Sequence, residues 1–214
     1  MSDRGRVAIL ISGRGSNMQS LVRAMRDGTI AADPVLVLSN KPRAEGLAWA
    51  EAEGIPTAVV DHRHAASREA HDAAVVDRLR EVRPDLICLA GYMRLLSPAF
   101  VQAYPMRILN IHPSLLPSFP GLHAPRQAIE YGARVSGCTV HFVDEQCDHG
   151  PIVLQESVPL RDGDEEEALA ARILQREHHA YPEAVRAFFA GELEIEGRRV
   201  VRTVPSAPTP GECA

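Results

Sequence analysis

Paired cysteines, a basic excess and a long apolar run are all missing from this 214-residue chain. The four cysteines (Cys88, Cys138, Cys147, Cys213) form no Cys-x-x-Cys pair and keep no regular spacing, so no disulfide framework is indicated and a reducing compartment is expected. Cys88 sits in an apolar run and reads as a buried thiol. A net charge of -5 and a sequence pI near 6.0 exclude the basic face that a general nucleic-acid binder uses to neutralise phosphates. They leave room for one small anion in a local site. The apolar stretch at residues 7–12 is too short for a signal peptide or a membrane span, which predicts a cytoplasmic protein that does not engage a membrane. The sequence does contain 45% hydrophobic and 24% charged residues, the mixture of a soluble globular protein. That length can bury a substantial core without disulfides or metals.

The periodicity alternates between two kinds. Residues 7–12 read as a strand, and Met18, Leu21, Val22 and Met25 then follow at the spacing of an amphipathic helix. Strands are predicted over 34–40, 57–61, 86–91 and 108–112. Helices are predicted over 44–53, ending at Gly54, and from a Ser67 cap to a stop at Pro84. Apolar strands alternating with helices indicate an α/β fold, a mostly parallel twisted sheet with helices on both faces. After about residue 134 the rhythm changes. Residues 135–143 and 152–160 read as strands with no helical crossover between them, pairing antiparallel at the sheet edge. A helix from about Asp164 to Tyr181, with Glu165, Glu166 and Glu167 at its positive end, and a short one over 183–190 complete the pattern. Residues 205–214 carry three prolines and little to bury, and are expected to be a disordered tail. With no internal repeat or linker, residues 1–204 are expected to form one domain, its N-terminal half binding a phosphate or ribonucleotide and its C-terminal half a second ligand.

Ser12-Gly13-Arg14-Gly15-Ser16-Asn17 joins the first strand to a helix N-terminus, where free N–H groups and the helix dipole favour an anion. A dinucleotide site fits poorly. The third glycine of the fingerprint would fall on Met18, Ser39 and Asn40 stand where a ribose-binding acid belongs, and there is no Walker lysine. A monophosphate is the better match, and a plain tight turn is the bland alternative.

Asn110 and His112 lie two apart on a strand and leave the same face. They stand at its carboxyl end, before Pro113-Ser114-Leu115-Leu116-Pro117. The glycine loop and Met93-Arg94 occupy the same edge, where open parallel sheets bind ligands. An amide donor beside an imidazole suits an oxyanion in acyl transfer. A hydrogen-bonded structural histidine is the alternative. Asp148 could fix the tautomer of His112, although acidic loops are commonly just solvated. His141, Cys147, Asp148 and His149 cluster locally, but match no metal-ligand spacing.

Taken together, Ile11-Ser12-Gly13-Arg14-Gly15-Ser16-Asn17, Leu89-Ala90-Gly91-Tyr92-Met93-Arg94, Asn110-Ile111-His112-Pro113-Ser114-Leu115-Leu116-Pro117 and Gly137-Cys138-Thr139-Val140-His141-Phe142-Val143 resemble the phosphoribosylglycinamide formyltransferase family over about residues 7–200. The resemblance implies formyl transfer from 10-formyltetrahydrofolate, as co-substrate, to glycinamide ribonucleotide, with no metal, and makes the folate the ligand of the C-terminal half. By position it assigns Gly15, Ser16, Asn17 and Glu177 to the ribonucleotide. Arg68, Met93, Arg94, Leu95, Leu96 and Asn110 go to the folate, and Asn110, His112 and Asp148 to catalysis. Glu177 has a hint of its own, because it continues the Leu169/Ile173 stripe at i+4 and should face inward. Two positions depart from the family: His149 stands where a glycine is usual, and Arg14 where Asn is usual. A monomer or homodimer is expected. Rival readings are a methionyl-tRNA formyltransferase, a formyltetrahydrofolate hydrolase, and a non-catalytic nucleotide-binding module. The first would need a C-terminal tRNA-binding domain, and the second an extra N-terminal domain.

Overall fold

A computed structural model describes residues 4–203. The expected tail at 205–214, with Cys213, lies outside the described residues. Strand β1 (Gly5–Ile11) is an interior strand of a nine-stranded sheet, third from one edge. Its side chains alternate between two cores. Val7, Ile9 and Ile11 pack with Met18 and Leu21 on one face, while Ala8 and Leu10 pack with Val75 and Leu79 on the other. That double burial explains why β1 reads as an unbroken apolar run. Parallel to it on one side lie β2 (Ala32–Ser39) and β3 (Thr57–Val59). On the other lie β4 (Leu86–Leu89) and β5 (Ile108–His112), also parallel. The carboxyl ends of β1, β4 and β5 therefore stand side by side.

The crossovers carry helices α1 (Ser16–Arg26), α2 (Glu45–Ala52), α3 (Arg68–Val82) and α4 (Pro98–Ala103). At the start of α3 the Ser67 hydroxyl accepts from the Ala70 N–H at 3.1 Å, as its position before the helical stripe predicted. The helix closes on Arg83 in the left-handed region, before Pro84. Helix α4 is absent from the expectation drawn from periodicity, although Ser97-Pro98 is a start signal of the cap-then-proline kind. So is α5 (Ala124–Tyr131), which is too short to show a stripe.

Beyond β5 come β6 (Val135–Phe142) and β7 (Ile152–Pro159), which pair antiparallel as expected. They do not close the sheet. A further hairpin, β8 (Leu193–Glu196) and β9 (Arg199–Arg202), adds beyond β7, giving the order β3-β2-β1-β4-β5-β6-β7-β9-β8. Its strands are short, charged and half exposed, so they carry no apolar pattern. The second correction concerns the C-terminal helices. The two expected there are one, α6 (Glu166–Phe189), with Pro182 inside it. Proline removes one N–H bond and usually bends or breaks a helix. Here Tyr181, Pro182, Ala184 and Val185 are all buried against the sheet, and that packing carries the helix through.

Candidate active site

The loop after β1 is built to leave helix N–H groups free. Gly15, the residue before α1, has φ +72°, a left-handed conformation that a β-carbon would strain. Helix α1 has no side-chain cap and no acidic residue in its first turn. Its first N–H groups and positive end are thus available to an anion. Ser16 is half-buried at this turn and Arg14 is exposed. Asn17 is buried, and its Nδ2 donates to Glu177 Oε2 at 2.7 Å across 160 residues of sequence. Glu177 faces inward, as its stripe position predicted, and is 7% exposed. Burial pushes its carboxyl above the ordinary glutamate range, an effect the Asn17 hydrogen bond opposes. Asn17 Oδ1 is buried with no partner among the described residues.

Two strands away, β5 delivers Asn110 and His112 to the same edge. The His112 ring is buried, with Nε2 donating to the Phe119 carbonyl at 2.9 Å and Nδ1 at 3.4 Å from Asp148 Oδ2. Both ring nitrogens face oxygen acceptors, the Phe119 carbonyl and the Asp148 carboxylate. Asp148 also accepts from the Gly121 N–H at 2.7 Å, so the segment after the proline-rich stretch holds both partners. Its backbone has φ +49°, a left-handed conformation that Asp tolerates better than most residues. The neighbouring Cys147 thiol points to the same carboxylate at 3.5 Å, and burial pushes that thiol up to about 11, so it is a donor and not a thiolate.

Asn110 has a partner that the sequence alone did not single out for it. It sits opposite His141 in the antiparallel β5–β6 register, and its Nδ2 is 3.2 Å from His141 Nε2. His141 Nδ1 lies 2.8 Å from the Phe142 carbonyl, so Nδ1 carries the hydrogen and Nε2 accepts. Burial lowers the His141 pKa, which keeps the ring neutral and the acceptor intact. The amide of Asn110 is thereby turned with its nitrogen toward His141, and its second N–H has no partner among the described residues. In the sequence His141 stands out only in the fourth family-like stretch and in the local His/Cys/Asp cluster, because its pairing with Asn110 depends on strand register.

The segment after β4 is anchored from beneath. Met93 N–H donates to Ser12 Oγ at 2.8 Å, and Ser12 Oγ donates to Asn40 Oδ1 at 2.6 Å. At its far end Ser97 N–H donates to the buried Asp72 Oδ2. Met93 and Leu95 stand 62% and 57% exposed above these anchors, an apolar ledge on an otherwise polar rim. Leu96 is half-buried against the core, and Arg94 is half-buried with no partner for its Nε among the described residues. Arg68 is exposed and pairs with its neighbour Glu69. It stands one turn before Asp72 on α3, on the face that meets this segment. The two histidines near Asp148 differ. His149 turns its ring nitrogens to Asp144 and Arg198, so the local His/Cys/Asp cluster does not converge on one point. Among the described residues, no group of three or more His, Cys, Asp or Glu is placed to hold a metal ion.

A model of the formyl transferase family matches residues 5–185. The trifunctional purine biosynthetic protein adenosine-3 of Drosophila melanogaster is 52% identical over 194 residues, covering 90% of this chain but only 14% of that protein. The phosphoribosylglycinamide formyltransferase of Escherichia coli (strain K12) is 44% identical over 189 residues, 88% of this chain and 89% of that one. Among solved structures, glycinamide ribonucleotide transformylase 1 from Symbiobacterium toebii superposes with a TM-score of 0.93 at 48% identity, covering 95% and 96% of the two chains.

Proposed function

The chain belongs to the formyl transferase family, and on that premise we propose that it transfers the formyl group of 10-formyltetrahydrofolate to the amine of glycinamide ribonucleotide, a step of purine biosynthesis. The observation that carries this reading is the alignment, on the ends of three adjacent parallel strands, of an anion-binding helix start, an apolar ledge and an Asn/His/Asp set. In this reading the ribonucleotide phosphate takes the free N–H groups of α1 at Gly15, Ser16 and Asn17. Glu177 and the unpartnered Asn17 Oδ1 meet its hydroxyls. Met93, Arg94, Leu95, Leu96 and Arg68 receive the folate. Both ligands are assigned to one domain, and their residues interleave along it. No helix among the described residues is long and apolar enough to cross a membrane, and we place the enzyme in the cytoplasm.

The glycinamide nitrogen attacks the formyl carbon, forming a C–N bond and a tetrahedral oxyanion. The free Asn110 N–H donates to that oxygen, as does His112 Nε2–H once it leaves the Phe119 carbonyl. Asp148 orients the ring and stabilises its positive charge. Collapse breaks the folate C–N bond. The proton released by the amine reaches the departing folate nitrogen, directly or through a water. The protein holds both substrates in reach, and that positioning supplies much of the acceleration.

Mixing the protein with 10-formyltetrahydrofolate and each acceptor, while following deformylated folate by absorbance, tests this reading. Deformylation only with glycinamide ribonucleotide supports it. Deformylation without an acceptor would identify a hydrolase, and deformylation only with methionyl-tRNA a tRNA-directed enzyme. No deformylation under any condition would leave a binding module.

A further inference from the structure

The β8–β9 hairpin reaches the catalytic loop through one side chain. Gly197, at φ +62°, turns the hairpin, and Arg198 follows it directly. The hairpin tip lies at the start of β7, where Arg199 pairs with Ile152, immediately after the loop that carries Asp148. From there Arg198 Nη2 donates to the His149 carbonyl at 2.7 Å, and Nη1 lies 2.6 Å from Nε2 and 3.1 Å from Nδ1 of the His149 ring. A carboxylate can only accept, so the ring hydrogen facing Asp144 is on Nδ1. That Nδ1 donates to Asp144 Oδ2 at 2.7 Å, across the base of the loop. Asp144, His149 and Arg198 thus form a continuous chain from the start of the loop to the hairpin, with His149 as the bridge. Asp148 is the residue next to that bridge, held in a left-handed conformation and otherwise fixed by the Gly121 N–H and the Cys147 thiol. A glycine at position 149 would keep the carbonyl contact and lose the side-chain link to Asp144 and Arg198.

We propose that Arg198 is a positioning residue for catalysis. It latches the hairpin onto the Asp148 loop through His149 and so keeps Asp148 in reach of His112. This rests on the formyl-transfer reading above. The experiment is steady-state kinetics of formyl transfer on the full chain, with melting temperatures recorded for each variant. Arg198→Ala should lower kcat about fivefold, the size expected of one partly exposed charge-assisted contact, with KM for glycinamide ribonucleotide unchanged. Arg198→Lys, which keeps a donor for the carbonyl, should restore part of the loss. Arg202→Ala is the control: it breaks the pairs to Glu183 and Glu192 that anchor the same hairpin elsewhere, and should leave kcat intact even if the protein melts earlier. In a His149→Gly background the effect of Arg198→Ala should be smaller than in wild type, because the ring contact is gone and only the contact to the residue-149 carbonyl remains. Wild-type kcat in Arg198→Ala, an equal kcat loss in Arg202→Ala, or an undiminished loss in the His149→Gly background would each overturn the latch. Failure of the wild-type chain to formylate glycinamide ribonucleotide would instead overturn the reading beneath it.

Discussion

Two carboxylates of the proposed site have opposite surroundings. Asp148 sits on a loop beside His112 and takes the Gly121 N–H, whereas Glu177 is buried on the inner face of α6 with Asn17 as its hydrogen-bond partner. For Asp148→Asn, the acceptor facing His112 loses its charge while the side chain keeps its shape. Turnover is expected to fall by about a hundredfold or more, the scale of a lost acid–base partner, while KM for glycinamide ribonucleotide stays within a small factor. Near-wild-type turnover would remove Asp148 from the mechanism. For Glu177 the sign runs the other way from an ordinary ion-paired acid. Its folded-state pKa is raised, so its favourable contribution is present below the ordinary glutamate pKa of 4.5 and is lost as pH rises through the folded value. Glu177→Gln keeps an acceptor for Asn17 without a buried charge. It should melt higher than wild type at pH 8, with the gap closing below pH 4.5, and should bind the ribonucleotide more weakly. Thermal scans against pH check the first point and calorimetry the second. At this scale the sequence is unevenly informative. Asn110 and His112 are legible from their two-residue spacing on a strand, and Glu177 from its helical stripe. Asp148 is assigned through the family resemblance, because a six-residue loop of polar groups does not say which carboxylate turns inward. The Asn110–His141 contact is not legible at all, since it needs the register of two strands 31 residues apart.

Among the elements, α6 is the one that ties the sheet to the site. Besides Glu177 it carries Tyr181, fully buried, whose hydroxyl reaches the carbonyls of Leu89 and Leu109 at 3.1 and 2.9 Å. Those carbonyls belong to β4 and β5, the strands that deliver the apolar ledge and Asn110. Tyr181→Phe should destabilise the protein by about 1–2 kcal/mol, since it strips a buried donor from its acceptors, as measured by chemical denaturation. A structural role alone predicts that kcat at a temperature well below melting changes little. The apolar stripe announces this helix, but Pro182 suggests an end that the packing overrides. Elements that hide in the sequence are short or half exposed. Helices α4 and α5 span 6 and 8 residues, and the β8–β9 strands 4 each, lengths at which periodicity carries little signal.

For the whole molecule, the strand order places the site. The chain begins at β1, winds outward through β2 and β3, then crosses back to β4 on the opposite side. The loops leaving β1 and β4 therefore diverge, opening a crevice at their carboxyl ends where ligands bind in open sheets. Alternating apolar strands and helices make that half of the fold predictable. The C-terminal strands extend the sheet further than their sequence suggests, and the last of them reach back to the Asp148 loop. The two substrates then share one edge without a metal or covalent relay in the proposed route. The most direct test is to follow the formyl group itself. Carbon-labelled 10-formyltetrahydrofolate is incubated with the protein and glycinamide ribonucleotide, and the products are separated by mass. The account predicts labelled formylglycinamide ribonucleotide formed at the same rate as deformylated folate, and hardly any from the Asp148→Asn protein. Label appearing as free formate, or equal product from both proteins, would contradict it.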